Sequence, residues 1–382
     1  MKAKQLIILT GVAAALGGLA VWSSRNEMKQ TTATGIGEKV LPRLKDQVND
    51  IASLSIQSPS STVTVSRVDG IWRIPAKWNY PADFGKIRGV LNKLADCKIL
   101  QPIRTTAASR AALQLLTASD AGSTNRDQCA TRIQLQGPDN RPLAVLHLGK
   151  TRSRPGRGED MGMGGYPDSQ YVMPEGGQAC LIGDILQEFT EPGQNWLDME
   201  FITLNDILAI QITGGTNGNV RLERANPTDE FKLTGPIPDG KTAESTKISQ
   251  AGSILNYLRF DDVADPKLSP ATTGLDKPVS YQARNQKGEI VTFRIGACPA
   301  SDETKRYASV SVSFEAPALP PVTGTNQEAV VKARAEQNAQ TAATVKTLNE
   351  KFSPWIYLIN KANADTMASG LNELIKNKGT SP

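Results

Sequence analysis

The chain contains one stretch twice. Val48-Asn49-Asp50-Ile51, which opens the alternating run that ends at Leu54 and Ile56, returns as Leu204-Asn205-Asp206-Ile207 ahead of Ile210 and Ile212. Apolar residues at every second position put one row of side chains on one face of a strand, so each copy starts a half-buried strand. The correspondence continues in the same order downstream. Val90-Leu91-Asn92-Lys93-Leu94 is answered by Ile254-Leu255-Asn256-Tyr257-Leu258, and Leu146-His147-Leu148-Gly149 by Phe293-Arg294-Ile295-Gly296. A strand-like run led by Tyr171 or Tyr307 follows each. A chain that repeats strand, helix and strand in order is expected to be two diverged copies of one α+β unit.

A length of 382 residues leaves room for two domains that each bury a core. Hydrophobic residues are 39% and charged residues 21%, the balance of a folded chain rather than a disordered one. The 43 Lys plus Arg are offset by 38 Asp plus Glu and spread along the chain, so no basic face is reserved for nucleic acid. Cys97, Cys129, Cys180 and Cys298 form no CxxC pair and have no histidine at ligand spacing, which argues against a structural zinc site. Four cysteines allow three disulfide connectivities in an exported chain, and buried free thiols are the other reading.

The amino terminus sets the compartment. Lys2 and Lys4 precede an apolar run over residues 6–22, close to the shortest length that spans a bilayer core. The positive-inside rule keeps those lysines in the cytoplasm and exports everything beyond Trp22, whose ring suits the membrane interface. Gly18-Leu19-Ala20 also has the small residues that a signal peptidase accepts, so cleavage competes with a retained anchor. The expected organisation is an anchor or signal segment over 1–24, a tether and lead-in over 25–47, a first α+β repeat over 48–200, and a second over 201–382 with C-terminal helices.

In the first copy, residues 62–68 and 71–74 read as a hairpin around Asp69-Gly70, a turn-forming dipeptide. A helix is expected from Asp83 to about Ala95, with Ile87, Val90, Leu91 and Leu94 on one stripe. The order of a single span, a hairpin ending in Gly70-x-Trp72-x-Ile74, the stretch Tyr80-Pro81-Ala82-Asp83, and a helix with Leu91-x-x-Leu94 resembles the bacterial family called domain of unknown function 4340. That resemblance implies an anchored, exported protein whose gene neighbours encode a gliding-motility-type ABC transporter, and hence an accessory role at a membrane complex. It carries no catalytic residues with it. The second copy has no match to the Tyr80–Asp83 stretch in its sequence.

Residues 150–170 combine Lys150, Arg152, Arg154 and Arg157 with five glycines, but no Lys-Ser or Lys-Thr opens a helix after them, so this is not a phosphate-binding loop. Glycine-rich backbone is costly to order, so the stretch is expected to be a solvated, mobile insertion. Cutting it to the length of its counterpart, residues 297–306, is expected to leave the thermal midpoint unchanged. A partner-docking or headgroup-binding role for its cations is the sharper alternative. Beyond the second copy, residues 326–350 read as a polar helix, residues 352–359 as core, and residues 367–378 as a terminal helix.

His147 is the only histidine, and its apolar neighbours place it on the opposite face of its strand, so it is read as a surface residue. The adjacent pairs Asp261-Asp262 and Glu159-Asp160 read as solvated turn charge, because carboxylates adjacent in sequence point different ways. Aromatic residues are only 5%, which argues against a sugar-stacking groove. No catalytic, cofactor-binding or metal-ligating residue is assigned, and no cofactor is expected. The expected fold is α+β, two tandem units, each a mainly antiparallel sheet with a helix packed on one face, after an N-terminal transmembrane helix. The expected function is that of a non-enzymatic, single-pass protein of the bacterial inner membrane. The bulk of its chain would lie in the periplasm, with protein partners in an envelope transport complex. The alternative is a periplasmic ligand- or glycan-binding module.

Overall fold

The two-residue period decides where the first sheet buries its side chains. In β1 (Ser53–Gln57), Leu54 and Ile56 are buried between serines, and the strand is paired on both sides. One partner is β2 (Thr62–Val68) and the other β6 (Thr131–Gln136), both antiparallel, so Leu54 stands opposite Val65 and Leu135. With β3 (Ile71–Ile74), β4 (Tyr80–Pro81), β5 (Ile99–Ile103), β7 (Pro142–Ser153), β8 (Pro167–Pro174) and β9 (Ala179–Ile182), the sheet runs β4-β3-β2-β1-β6-β7-β8-β9-β5. Described here are residues 35–117, 126–153, 166–215, 218–318 and 327–379 of a computed structural model, in which the chain divides into two units, Met1–Asp198 and Met199–Pro382.

Helix α1 (Leu44–Gln47) leads into the first sheet, and α2 (Phe84–Asp96) supplies much of its core. Asp83 caps α2 by accepting a hydrogen bond from Lys86 N at 2.9 Å, and Ile87, Val90, Leu91 and Leu94 are buried along one stripe. A shorter helix, α3 (Ala107–Ala112), starts with a capping box between Thr106 and Ser109.

The second unit uses β10 (Ile207–Thr213), β11 (Val220–Glu223), β12 (Lys232–Leu233), β14 (Asp262–Ala264), β15 (Val279–Asn285), β16 (Glu289–Ile295), β17 (Lys305–Phe314) and β18 (Ile356–Asn360). Its order, β12-β11-β10-β15-β16-β17-β18-β14, repeats that of the first sheet from β3 to β5, strand for strand, and the pairings are again antiparallel. Helix α4 (Ser245–Ser253) follows the hairpin as α2 does, and α5 (Pro270–Thr273) follows β14 as α3 follows β5. Phe201 is the hub of this core, with ring centroids 4.9 to 5.9 Å from Tyr357, Phe260, Phe293 and Phe352.

Individual hydrogen bonds correspond as well. Arg67 N donates to Ala52 O at 2.7 Å and Arg224 N to Leu208 O at 3.0 Å. Lys150 N reaches Leu113 O just after α3, and Ala297 N reaches Thr273 O at the end of α5. Each unit also closes on its own last segment. In the first, Asp83 N donates to Trp196 O and Asp198 N to Pro81 O, with an antiparallel bridge between Ala82 and Leu197. In the second, Glu244 N donates to Leu374 O, and β13 (Lys241–Ala243) pairs antiparallel with β19 (Ile375–Asn377). The Tyr80–Asp83 stretch therefore has a structural counterpart at Lys241–Glu244, though its side chains differ.

Two connections differ between the units. Between β8 and β9 lies a tight turn, whereas β17 and β18 are separated by α6 (Gln327–Phe352), followed after β18 by α7 (Lys361–Met367). Only the first residues of β17, Lys305–Ala308, pair with β18, and beyond them Val312 N donates to Asn349 Oδ1 of α6 at 2.9 Å. The helix thus occupies a strand edge that would otherwise be open. Val345 and Phe352 are buried, while residues 327–333 are exposed.

Several expectations are corrected. Residues 367–378 are not a helix. After α7 and Gly370 comes a short 3-10 turn, Leu371–Glu373, and then β19, because pairing with β13 satisfies the backbone and buries Leu374 and Ile375. Residues 150–170 are not an insertion throughout. β7 runs on to Ser153 and β8 begins at Pro167, with Thr151 opposite Gln170. Ser169 and Gln170 are buried, and the Gln170 amide donates to Gly149 O and accepts from Leu186 N. Shortening this stretch to the length of 297–306 would remove packed sheet and lower the midpoint. Residues 154–165, with Arg154, Arg157 and Glu159-Asp160, lie outside the described residues. So does the apolar segment at 6–22; among the described residues no helix is long and apolar enough to cross a membrane. All four cysteines are free thiols.

Glycine is required where the short helices meet the sheets. A Cβ on Gly149 would lie 2.4 Å from Leu113 O, and one on Gly296 would lie 2.1 Å from Thr273 O. Either substitution to alanine must push backbone apart. Gly149→Ala and Gly296→Ala are each expected to cost about 1–3 kcal/mol. Gly89→Ala, in open space on α2, is expected to add roughly 0.5–1 kcal/mol. Urea denaturation of the three variants checks the contrast.

Candidate functional site

A polar constellation of the second unit is built around Arg224, the residue after β11. Its backbone is fixed by the bond to Leu208 O, so the side chain leaves the sheet beside the Asn205-Asp206 turn, where Asp206 adopts a φ of 56°. Arg224 Nε donates to Ile207 O at 2.5 Å and Nη1 to Asp229 O at 3.3 Å. The guanidinium also lies 4.3 Å from the centre of the Phe231 ring. Burial pulls its pKa below the ordinary arginine value, and the charges of Asp206 and Asp229 act in the other direction.

Phe231 is held from its other side by α4. A Cβ on Gly252 would lie 2.4 Å from Phe231 Cδ2, so only glycine lets the ring lie against the helix. The Asp229 carboxylate accepts from Asn226 N and Nδ2, both at 3.0 Å, which fixes the turn that carries Glu230 and Phe231. Between this turn, the Asn205-Asp206 turn and the polar side of α4 opens a cleft of about 850 Å³. Ser245, Thr246, Ser249 and Gln250 of the helix line it, with Asn256 beyond. A second, more open cavity of about 930 Å³ shares Arg224, Asp229 and Glu230 and reaches Glu223, Lys232 and Arg284. No sequence motif marks the cleft, whose residues are drawn from turns and a helix that meet only on folding. The one legible element was the Asn-Asp pair of the repeated stretch.

His147 lies in the first unit and is not a surface residue. It is on the face opposite Leu146 and Leu148, as alternation requires, yet is only 2% exposed. Arg132 and Met173 stand opposite it on the two neighbouring strands, and its Nε2 lies 2.6 Å from Glu175 Oε2. The alternation gave the face correctly; what closes that face is cross-strand packing. Arg294, at the matching place on β16, is exposed and donates to Leu275 O.

The other groups considered for chemistry have structural surroundings. Burial pushes the Cys97 and Cys180 thiols up to about 12, with Asp184 adding to the effect at Cys97, so neither is a ready thiolate nucleophile. Among the described residues no group of three or more His, Cys, Asp or Glu side chains is placed to hold a metal ion. Asp261 and Asp262 are half-buried rather than solvated. Asp262 Oδ1 accepts from Val263 N, and burial raises Asp261 above the usual carboxylate range, against the charge of Lys305.

Fold and cleft together define an α+β protein of two large antiparallel sheets and a two-stranded one, with an open polar groove in the second unit. Residues 72–278 match the family described as Domain of unknown function (DUF4340), and the chain belongs to that family. The match begins at Trp72 and extends well into the second unit. No curated protein and no solved structure matches the chain.

Because the folded pKa of Asp261 is raised, its carboxyl opposes folding once it ionises. That penalty is absent below the unfolded value of about 3.9 and complete above the raised folded value. Asp261→Asn is expected to be more stable than wild type at pH 7, with the difference vanishing as the pH falls toward 3. Thermal midpoints across this range check the sign.

Proposed function

We propose that the protein is a non-enzymatic accessory or scaffold protein of an envelope transport complex. In this reading residues 1–24 hold it in the bacterial inner membrane, and two copies of one duplicated α+β module stand in the periplasm. The duplication is supported by the shared strand order and by the three matched hydrogen bonds at Arg67 and Arg224, Leu113 and Thr273, and Trp196 and Leu374. The exported, anchored placement is supported by the lysines and apolar run of the first residues.

The observation that carries the recognition role is how the cleft spends its charged groups. Arg224 is committed to two backbone carbonyls and a ring, and Asp229 to a turn, so these groups build the wall rather than wait for a reaction. What faces the cleft is a set of hydroxyl and amide side chains on a rigid helix, which suits binding better than proton transfer.

The test is crosslinking in intact membranes followed by gentle detergent extraction of the full chain. The expected result is co-purification of the subunits of an ABC-type transporter. A chain that emerges alone under every crosslinker length overturns the proposal.

A further inference from the structure

We propose that the cleft of the second unit binds an uncharged, polyhydroxylated ligand, a segment of an oligosaccharide. This rests on the reading of the cleft as a recognition surface and adds the class of ligand. Asn205, Glu230, Thr246, Ser249, Gln250 and Asn256 all line it with exposed side chains, and none of these side chains hydrogen-bonds to another of the described residues. Three other polar residues of the lining, Arg224, Asp229 and Ser253, already have partners.

Their chemistry selects the ligand. Hydroxyls donate and accept, carboxamides present one donor group and one acceptor, and a carboxylate accepts from two adjacent hydroxyls. This mixture complements a sugar, in which every hydroxyl both gives and takes a hydrogen bond. An anion such as phosphate is disfavoured, because Arg224 is the one cation among the described lining residues, its Nε and Nη1 already donate to carbonyls, and Asp206, Asp229 and Glu230 surround it. A polyamine or basic peptide would need acceptors alone, whereas half of this lining offers donors. An apolar ligand would strand these groups without water or a partner. The volume of about 850 Å³ lies in the usual range of ligand sites, about 300–1,000 Å³. Phe231 is covered by Arg224 on one side and α4 on the other, so recognition runs through hydrogen bonds and not through ring stacking. That agrees with a chain of 5% aromatic content.

The experiment uses the full chain in a detergent without a sugar headgroup, since a maltoside would compete. Chitotetraose and maltotetraose are titrated calorimetrically, with inorganic phosphate and spermidine as charged probes. Two variants accompany the wild type. Ser249→Trp fills the cleft from an exposed helical position without touching the core, and Glu230→Gln keeps the shape but removes the charge.

At least one tetrasaccharide is expected to bind wild type. Its affinity should fall at least about tenfold in Ser249→Trp, with an unchanged thermal midpoint. Failure of both tetrasaccharides to bind overturns the proposal, as does binding that Ser249→Trp leaves intact. Stronger, Ser249→Trp-sensitive binding of spermidine or phosphate overturns the ligand class while leaving the cleft a recognition surface. That underlying reading fails separately, if Ser249→Trp binds none of the four probes differently from wild type and leaves the set of crosslinked partners unchanged.

Discussion

Both sheets depend on a strand that is paired along both edges. β1 joins the hairpin β2–β3 to the meander β6–β9, and β10 does the same for β11 and β15. The strand that follows meets one edge of such a strand, and the other edge must be met by chain far away in sequence, because an unpaired buried amide costs as much as a lost hydrogen bond. The apolar rows of the strand then fix the register, since a slip by one residue would turn Leu54 and Ile56, or Ile210 and Ile212, away from the core. The repeated Asn-Asp-Ile stretch marks the entry to this strand in both units, and Arg67 and Arg224 bond to the backbone on its far side. The cleft exists because Arg224 leaves the sheet at that entry.

The strands were legible wherever one face is core and the other is not. Residues 62–68, 71–74 and 207–213 fold as the alternation indicates, because period and burial agree there. Legibility failed where the decisive partner is distant. Leu371, Leu374 and Ile375 have helical spacing, yet the edge at Lys241–Ala243 captures them as a strand. At His147 the periodicity gave the face, but exposure depends on Arg132, Met173 and Glu175 around it. Most of the cleft was illegible for the same reason, since Phe231 and Gly252 acquire meaning only as neighbours.

The units differ where connections are free to change. The first sheet extends β7 and β8 past Gly149 and buries Gln170 there, while the second keeps that hairpin short and places α6 after β17. Each addition lies beside strands that the other unit also possesses, so neither disturbs the shared order. The helix has a physical task in addition to whatever its exposed half contacts. By packing along β17 and accepting from Val312 N through Asn349 Oδ1, it covers an edge that could otherwise pair with a strand from another molecule.

The closing segments have a consequence for how the chain comes to be folded at all. Ribosomes deliver a chain from its N-terminus, and in each unit the segment that seals the sheet emerges after every strand it seals. Until Trp196 to Asp198 arrive, the stretch at Tyr80–Asp83 lacks the backbone partners that complete it; until Ile375 to Asn377 arrive, β13 lacks the strand it pairs with. A unit interrupted at any earlier residue keeps an open border and an unfilled hollow, both of which proteases and chaperones recognise. The arrangement therefore makes each module report its own completion, and a clipped or stalled product differs from a finished one over a few backbone bonds at a single seam.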